Sequence, residues 1–522
     1  MPKAYLVGAG IASLASAVYL IRDGKMSGND IHIFEESLQT GGCLDGHGSP
    51  ETGYVTRGGR MFDEEVYTCT YDLLSSIPSL NNAGKSVKNE IDDFNKKILS
   101  NSKSRLVAHG SKIDVSSMGF DNRNRLDLIE IMLQSEESLG TRRIDECFSP
   151  SFFETNFWFM WCTTFAFQPW HSAVEFKRYM HRFMHEFPRI NTLSGVRRTP
   201  LNQYDAITLP VVTWLKAQGV NIHMNSEVTD LDFIFDMNSK TVERLHLIQS
   251  GQKTEVTVDS DDKVFVTIGS MVAGSSFGSM TSAPVLKTKE AGGAWSLWEK
   301  IAKDQTEFGR PSVFSDRIPQ STWESFTVTF KDPLFFKLME SFTGNEAGTG
   351  GLVTFKDSNW LMSVVLAYQP HFIGQPAGVT VCWGDGLFPD KLGNFVHKKM
   401  SDCTGAEILT ELCSHLGFIA DLPLILETSI CIPCLMPFIG SQFLTRAKGD
   451  RPFVIPPGSE NLAFIGQYCE IPDDTVFTVE YSVRSAQIAV YSLLNLDKEV
   501  CKLYRGSHDL SVIYHSFKTM LH

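Results

Sequence analysis

Apolar residues near the start of the chain come in two kinds of run. Ala4–Val7 is short and unbroken and Ile31–Phe34 is short and interrupted by His32 alone, and between them Ile11–Ile21 is long and almost wholly apolar. Short runs closed by turn residues predict strands and the longer one a helix. A strand–helix–strand opening implies a parallel pair joined by a right-handed crossover. From about 80 to 200 the pattern shifts to helix formers and aromatics, crowded in Phe152-Phe153 and Phe157-Trp158-Phe159-Met160-Trp161. Strand-like runs return at Val220–Met224 and Lys263–Ile268. Between about 290 and 430, runs such as Ser325–Phe330 and Leu361–Leu366 alternate with glycine and proline turns. Past Asn461 a strand, Leu462–Ile465, leads into a helix over Val479–Leu494.

This order predicts an α/β fold with α+β insertions. A discontinuous Rossmann-like nucleotide domain is expected from residues 1–80, 200–290 and 430–500, with a mainly helical insertion at 81–199 lining a substrate channel. A mixed β/α substrate unit at 291–429 and a C-terminal helix at 501–522 complete the division. A chain of 522 residues is too long for one core, in keeping with several domains. There is no internal repeat and no low-complexity segment.

Charge and cysteine content narrow the function. A net charge of −13 excludes nucleic acid as an expected partner, because phosphate binding needs a basic surface, and gives no strong attraction to anionic lipid. The N-terminal run has the composition of a secretion signal, yet it reads as strand, turn and helix with no small-residue cleavage pattern after it. No apolar run reaches the roughly 18 residues of a spanning helix. A cytoplasmic monomer or homodimer is expected. Of the eleven cysteines, Cys431 and Cys434 form the one close pair, and no second pair completes a metal site. His181 and His185 have a helical spacing compatible with a metal, but no third ligand is suggested, so no metal is expected.

The turn after the first strand is Gly8-Ala9-Gly10-Ile11-Ala12-Ser13. The first glycine permits a tight turn, and the second lets backbone approach a pyrophosphate at the helix N-terminus. Ser13 replaces the usual third glycine and is small enough for close packing. The second strand ends at Glu35, whose carboxylate suits ribose hydroxyls; Glu36 is the competing acid. A second glycine turn, Gly41-Gly42-Cys43, follows, and then Arg57-Gly58-Gly59-Arg60, whose cations would neutralise pyrophosphate beside a flat ring. Gly466 lies between a strand and a helix near the other end. Several elements aimed at one extended cofactor point to FAD rather than NAD, with isolated turn glycines as the competing reading.

With these pieces in order, the sequence resembles the oleate hydratase family, also called myosin-cross-reactive antigens. The likeness covers nearly the whole chain and includes Asp72-Leu-Leu-Ser-Ser-Ile-Pro-Ser-Leu80, Phe165-Ala-Phe-Gln-Pro-Trp-His-Ser-Ala173, Asn202-Gln203-Tyr204, Gln369-Pro-His-Phe372, Gly449-Asp-Arg-Pro452 and Val476-Phe-Thr-Val-Glu-Tyr-Ser-Val-Arg484. The resemblance implies bound but unconsumed FAD and the addition of water to the cis-9 double bond of oleate and similar fatty acids, giving 10-hydroxy products. It also implies a backbone contact from Val228 to the adenine half and Ser270 near the cofactor. Two positions depart from the family. Met61 stands where the family has the glutamate held to activate water, and Leu201 replaces the tyrosine held to donate the proton.

Hydration of an isolated alkene needs an acid for one carbon and a base for the incoming water. Tyr204 is the first candidate for the acid, against a tyrosine simply packed at a domain interface. Asp63 is the candidate base, with Glu64 close behind, against a solvated acidic run or water held by backbone carbonyls of the Arg57–Met61 loop. Trp158, Trp161, Phe165 and Phe167 are candidates for an acyl channel or for plain core. Gln442 and Arg446 are the candidates for the substrate carboxylate. Leu510, Ile513, Phe517 and Leu521 share a helical face that either docks on the protein or touches a membrane transiently. A flavin-dependent oxidoreductase of the amine-oxidase or desaturase type is the alternative activity, and an inactive lipid-binding flavoprotein the third reading.

Overall fold

Strands Leu462–Ile465, Lys263–Thr267, Ala4–Val7, Ile31–Phe34 and Asn221–His223 lie in that order in one sheet, with every neighbouring pair parallel. The computed structural model of the chain describes residues 1–59, 61–237, 239–287 and 293–521. Strands Ala4–Val7 and Leu462–Ile465 are buried at every residue, which is why they read as unbroken apolar runs, whereas the edge strand Asn221–His223 is half-buried. Helix Ile11–Arg22 is buried at every residue from Ile11 to Leu20 and packs against helix Val479–Leu493. The register sets Val7 opposite Val266 and Phe34, and Thr267 opposite Ile465. The turns at Gly8, Glu35, Ile268 and Gly466 therefore emerge along a single carboxyl edge, where open α/β sheets bind ligands.

A second sheet has eight strands, in the order Ser276–Phe277, Ser429–Met436, Trp323–Phe330, Thr380–Gly386, Met362–Leu366, Val353–Phe355, Leu106–Ala108 and Ser111–Lys112. The last two come from the stretch read as helical, so that insertion also extends this sheet. Side-chain alternation divides its labour. Phe326, Val328 and Phe330 join a core with Phe335, Phe336 and Leu412 from helices Leu334–Thr343 and Gly405–Leu416. The intervening threonines turn to the hairpin Gly46–Ser49 and Gly53–Thr56. Tyr54 N–H donates to Thr329 Oγ1 at 2.8 Å and Thr56 N–H to Thr327 Oγ1 at 3.1 Å. This polar row fixes the start of the Arg57–Gly59 loop between the two sheets.

The C-terminal helix, Leu510–Leu521, docks through a face other than its apolar one. Ser516 is buried and its hydroxyl donates to the Met184 carbonyl at 2.8 Å, while Leu510, Ile513 and Phe517 stay exposed. Among the described residues, no helix is long and apolar enough to cross a membrane.

Candidate functional site

Gly8 has φ of +88°, a region that disfavours side chains. Gly10 differs. Its φ is −74° and, among the described residues, no atom beyond its chain neighbours lies within 4 Å of the place a Cβ would take, so neither backbone nor protein packing asks for glycine there. Close approach of a ligand to the N-terminus of helix Ile11–Arg22 would. The two glycine turns meet: Gly41 N–H donates to the Ala9 carbonyl at 2.9 Å, and a Cβ on Gly42 would stand 3.4 Å from Gly10 Cα. Ser13 is fully buried, with Oγ 3.3 Å from Thr267 Oγ1, at the helix–strand contact. Of the two acids, Glu35 faces the turn, accepting from Ala9 N–H at 2.7 Å and Ser37 N–H at 3.0 Å, while Glu36 is exposed.

The other expected cofactor contacts lie on or near this edge. Glu35 accepts at its carbonyl from Ser226 N–H, at the head of the strand that carries buried Val228. The Ser270 carbonyl accepts from Trp295 Nε1 at 3.1 Å. Gly466, with φ of +98°, donates to Ser485 Oγ at 2.9 Å beside Thr267. Cys43 is half-buried in the second glycine turn. Arg57 pairs with Asp45 at 2.8 Å, and its Nη1 is buried without a partner. Gly59, like Gly10, has no atom of the described residues beyond its chain neighbours within 4 Å of a would-be Cβ. Arg60 lies outside the described residues.

Beyond Gly59 the chain lines two adjoining lobes of empty space. One lobe, about 90 Å³, is lined by Asp63, Phe165, Tyr179, Phe183 and Glu186 among others. The other, about 60 Å³, is lined by Arg57, Thr163, Arg198, Trp383 and Asp385 among others. Gly59, Met61, Thr164 and Phe477 belong to both, so Met61 stands at the junction of a space that is apolar in the middle with acids at both sides.

Asp63 is buried, unlike Glu64, which is exposed. Its Oδ1 accepts from the N–H groups of Glu65 and Val66, and its Oδ2 lies 2.7 Å from His185 Nε2. Burial raises the Asp63 carboxyl, but the His185 bond and charge prevail and hold it below the ordinary range. His185 is correspondingly held up against its own burial by Asp63. Burial, opposed by Arg189 and reinforced by Asp63, pushes Glu186 up to about 7. His185 thus partners Asp63 rather than His181, and ligand atoms of Asp63, Glu65 and His185 lie within 4.8 Å of one another. Spacing along the chain gave no sign of this pairing.

Other expected residues fall elsewhere. Tyr204 does not line either lobe; its Cβ stands 3.3 Å from the would-be Cβ of Gly46. Gln442 is fully buried, its amide donating to the Ile439 carbonyl at 3.0 Å. Arg446 is engaged by Glu175 at 3.0 Å and Glu470 at 3.0 Å, and lines a separate open cleft of about 1120 Å³. Trp158, Trp161 and Phe167 belong to the main core, and Phe165 alone of the four lines the cavity. Glu186 and Asp385 were missed. The signal for Asp385 was an acid inside the strand-like run Val381-Cys382-Trp383-Gly384-Asp385.

A parallel sheet whose carboxyl edge carries two apposed glycine turns, an acid after the second strand and an open helix N-terminus defines a Rossmann-like fold of the flavoprotein kind. Similar solved structures include an oxidoreductase from Methanosarcina mazei (TM-score 0.50, 11% identity, covering 94% of this chain and 100% of that one). Another is a putrescine oxidase bound to putrescine (TM-score 0.53, 11% identity, 95% and 99% coverage). At such identity the likeness is one of fold. Within that class the chain belongs to the MCRA family, whose model matches residues 1–491. It is 40% identical to an oleate hydratase of Streptococcus pyogenes over 99% of this chain and 89% of that protein. It is 36% identical to a linoleate hydratase of Lactiplantibacillus plantarum over 94% of this chain and 93% of that protein.

Proposed function

We propose that the protein is a hydro-lyase that adds water to a double bond of an unsaturated fatty acid, with FAD bound along the carboxyl edge and not consumed. The observation that carries this reading is the cavity at Met61, apolar at its centre and flanked by carboxyl groups, next to the loop that ends at Gly59. The names of the two hydratase relatives support it. Three features support the cofactor: Gly10 and Gly59 leave backbone uncovered, and Arg57 has a buried guanidinium nitrogen without a partner among the described residues. Gly8, Gly10, Glu35, Gly41 and Gly42 would hold the adenosine and pyrophosphate, and Arg57 and Gly59 the region near the ring. When bound, FAD would supply a flat polarisable surface beside the charge that develops on the alkene.

The residues of the chain do the rest. Phe165, Phe183 and Leu193 enclose the acyl chain, whose burial favours binding by roughly 0.8 kcal/mol per CH₂. Asp63 is ionised and bonded to His185, and it faces the cavity where the family glutamate is missing; in this reading it takes the proton of the incoming water. Met61 contributes an apolar wall. Tyr204 stands beside Gly46 at the start of the hairpin, and a head-group role for Arg446 would need its ion pairs with Glu175 and Glu470 to open.

Incubation with oleate or linoleate in heavy water should yield a hydroxy fatty acid carrying one carbon-bound deuterium, read by mass spectrometry. Hydrogen peroxide, or flavin bleached by substrate, would instead place the protein among oxidising flavoenzymes. In the same assay Asp63→Asn is expected to lower kcat by about 100-fold, the lower end for a positioned base. Unchanged kcat would remove Asp63 from the role.

A further inference from the structure

Trp383 and Asp385 stand two residues apart on strand Thr380–Gly386, so both side chains leave the same face of the eight-stranded sheet. Cys382 and Gly384 alternate with them toward the helical core: Cys382 belongs to that core, and a Cβ on Gly384 would meet Phe326. The face bearing Trp383 and Asp385 is turned to the Thr56–Gly59 loop. Trp383 lies 3.2 Å from the would-be Cβ of Gly58, and Asp385 lines the lobe that reaches Gly59 and Met61.

An acid at this register has nothing in the sheet to justify it. Its cross-strand neighbours are Ser325 and Ser363. Ser325 faces Cys434 across the next strand pair, and Ser363 Oγ bonds Thr354 Oγ1 at 2.9 Å. Among the described residues on the lobe, Arg57 pairs with Asp45, and Arg198 donates to the Gly350 carbonyl at 2.7 Å. Asp385 is 2% exposed and its Oδ1 has no hydrogen-bond partner among the described residues. A buried polar group left unsatisfied is destabilising and calls for an explanation in function. Burial, with no opposing charge among the described residues, raises the carboxyl well above the ordinary range and so favours its protonated form.

We propose that Asp385 is the acid of the hydration, giving its proton to one alkene carbon from the side of the cavity opposite Asp63. This rests on the hydratase reading above. The O–H bond of the Asp385 carboxyl breaks, and the π pair of the alkene forms the new C–H bond. The oxygen of water bonds to the neighbouring carbon, and the proton it releases passes to the Asp63 carboxylate. Loss of that proton to solvent and uptake of one by Asp385 restore both groups, so one water is added and no electrons are exchanged. An acid on one wall and a base on the other, with Met61 between them, explains how a chain lacking the family's glutamate and tyrosine keeps both functions.

Asp385→Asn keeps the shape and removes the acid. With oleate, kcat is expected to fall about 100-fold while KM, flavin content and the melting transition stay near wild type. Asp385→Glu, which restores an acid one methylene longer, should recover to within about 10-fold of wild type. A wild-type kcat in Asp385→Asn would overturn the assignment and leave the hydratase reading standing. So would equal losses in both variants with flavin retained, since that would mark a packing role. Absence of any hydroxy product from the wild-type chain would overturn the assignment and the reading together.

Discussion

Gly10→Val is expected to give a folded protein that no longer retains FAD. The backbone at Gly10 is extended, with φ of −74° and ψ of 174°, which valine adopts freely, and among the described residues no atom beyond its neighbours along the chain lies within 4 Å of the new Cβ. Loss of a favourable residue at the helix N-cap costs about 1 kcal/mol, small for a chain of this size. The effect on the cofactor is far larger. An isopropyl group in front of the helix N-terminus keeps a pyrophosphate from the backbone N–H groups, and two charge-assisted hydrogen bonds lost at about 1.5–3 kcal/mol each lower affinity by roughly 10²–10⁴-fold. Visible flavin absorbance of the purified protein, calorimetric titration with FAD and thermal melting together test this. Wild-type affinity in the variant would mean that the cofactor, if bound at all, passes elsewhere. Gly42 is a poorer probe, because its φ of +57° makes any side chain there strain the backbone itself.

What could be read along the chain and what could not divide on physical grounds. Strands Lys263–Thr267 and Leu462–Ile465 and helix Val479–Leu493 stand within a residue of the expected spans, because elements covered on both faces leave long apolar signatures. The eight-stranded sheet was not legible as a sheet. Leu106–Ala108 pairs in parallel with Val353–Phe355, and nothing local in either segment names a partner so distant in sequence. The site divides in the same way. The glycine turns were legible because tight turns and close approach impose glycine locally. Asp63 was picked for its nearness to Met61, whereas its partner His185 lies 122 positions away and reaches it only through the fold. Phe165 and Phe167 look alike in the sequence, yet one lines the cavity and the other packs in the core. Asp385 was passed over because an acid in a buried strand contradicts the pattern that identifies the strand. Such local conflict is where function is to be sought.

Glu175→Gln is expected to destabilise the protein by about 3–5 kcal/mol, the range for a buried ion pair that loses one partner. Glu175 is fully buried and accepts from Arg446 Nε at 3.2 Å and Arg451 Nη1 at 2.9 Å, and Arg451 is itself buried. Glu470 completes the group, 2.8 Å from Arg178 and 3.0 Å from Arg446. Without Glu175, the described partners left to Arg451 are the Gln442 carbonyl, to which its Nη2 donates, the Phe314 ring 5.6 Å from its guanidinium, and a carboxylate 3.8 Å away at Glu470. The pH dependence separates this from a packing defect. Burial raises both carboxyls, but the arginines prevail: Glu175 is held below its ordinary value, and Glu470 is brought down from 4.5 to about 2. A depressed carboxyl contributes its stability above the ordinary value and loses it as pH falls toward the folded value. The penalty of Glu175→Gln should therefore be full at pH 7 and shrink below about 4.5, where the wild-type protein is losing the same interactions. Urea unfolding followed by circular dichroism at neutral and acid pH measures the difference. An equal penalty at both would show that the carboxylate acts through its shape and not its charge.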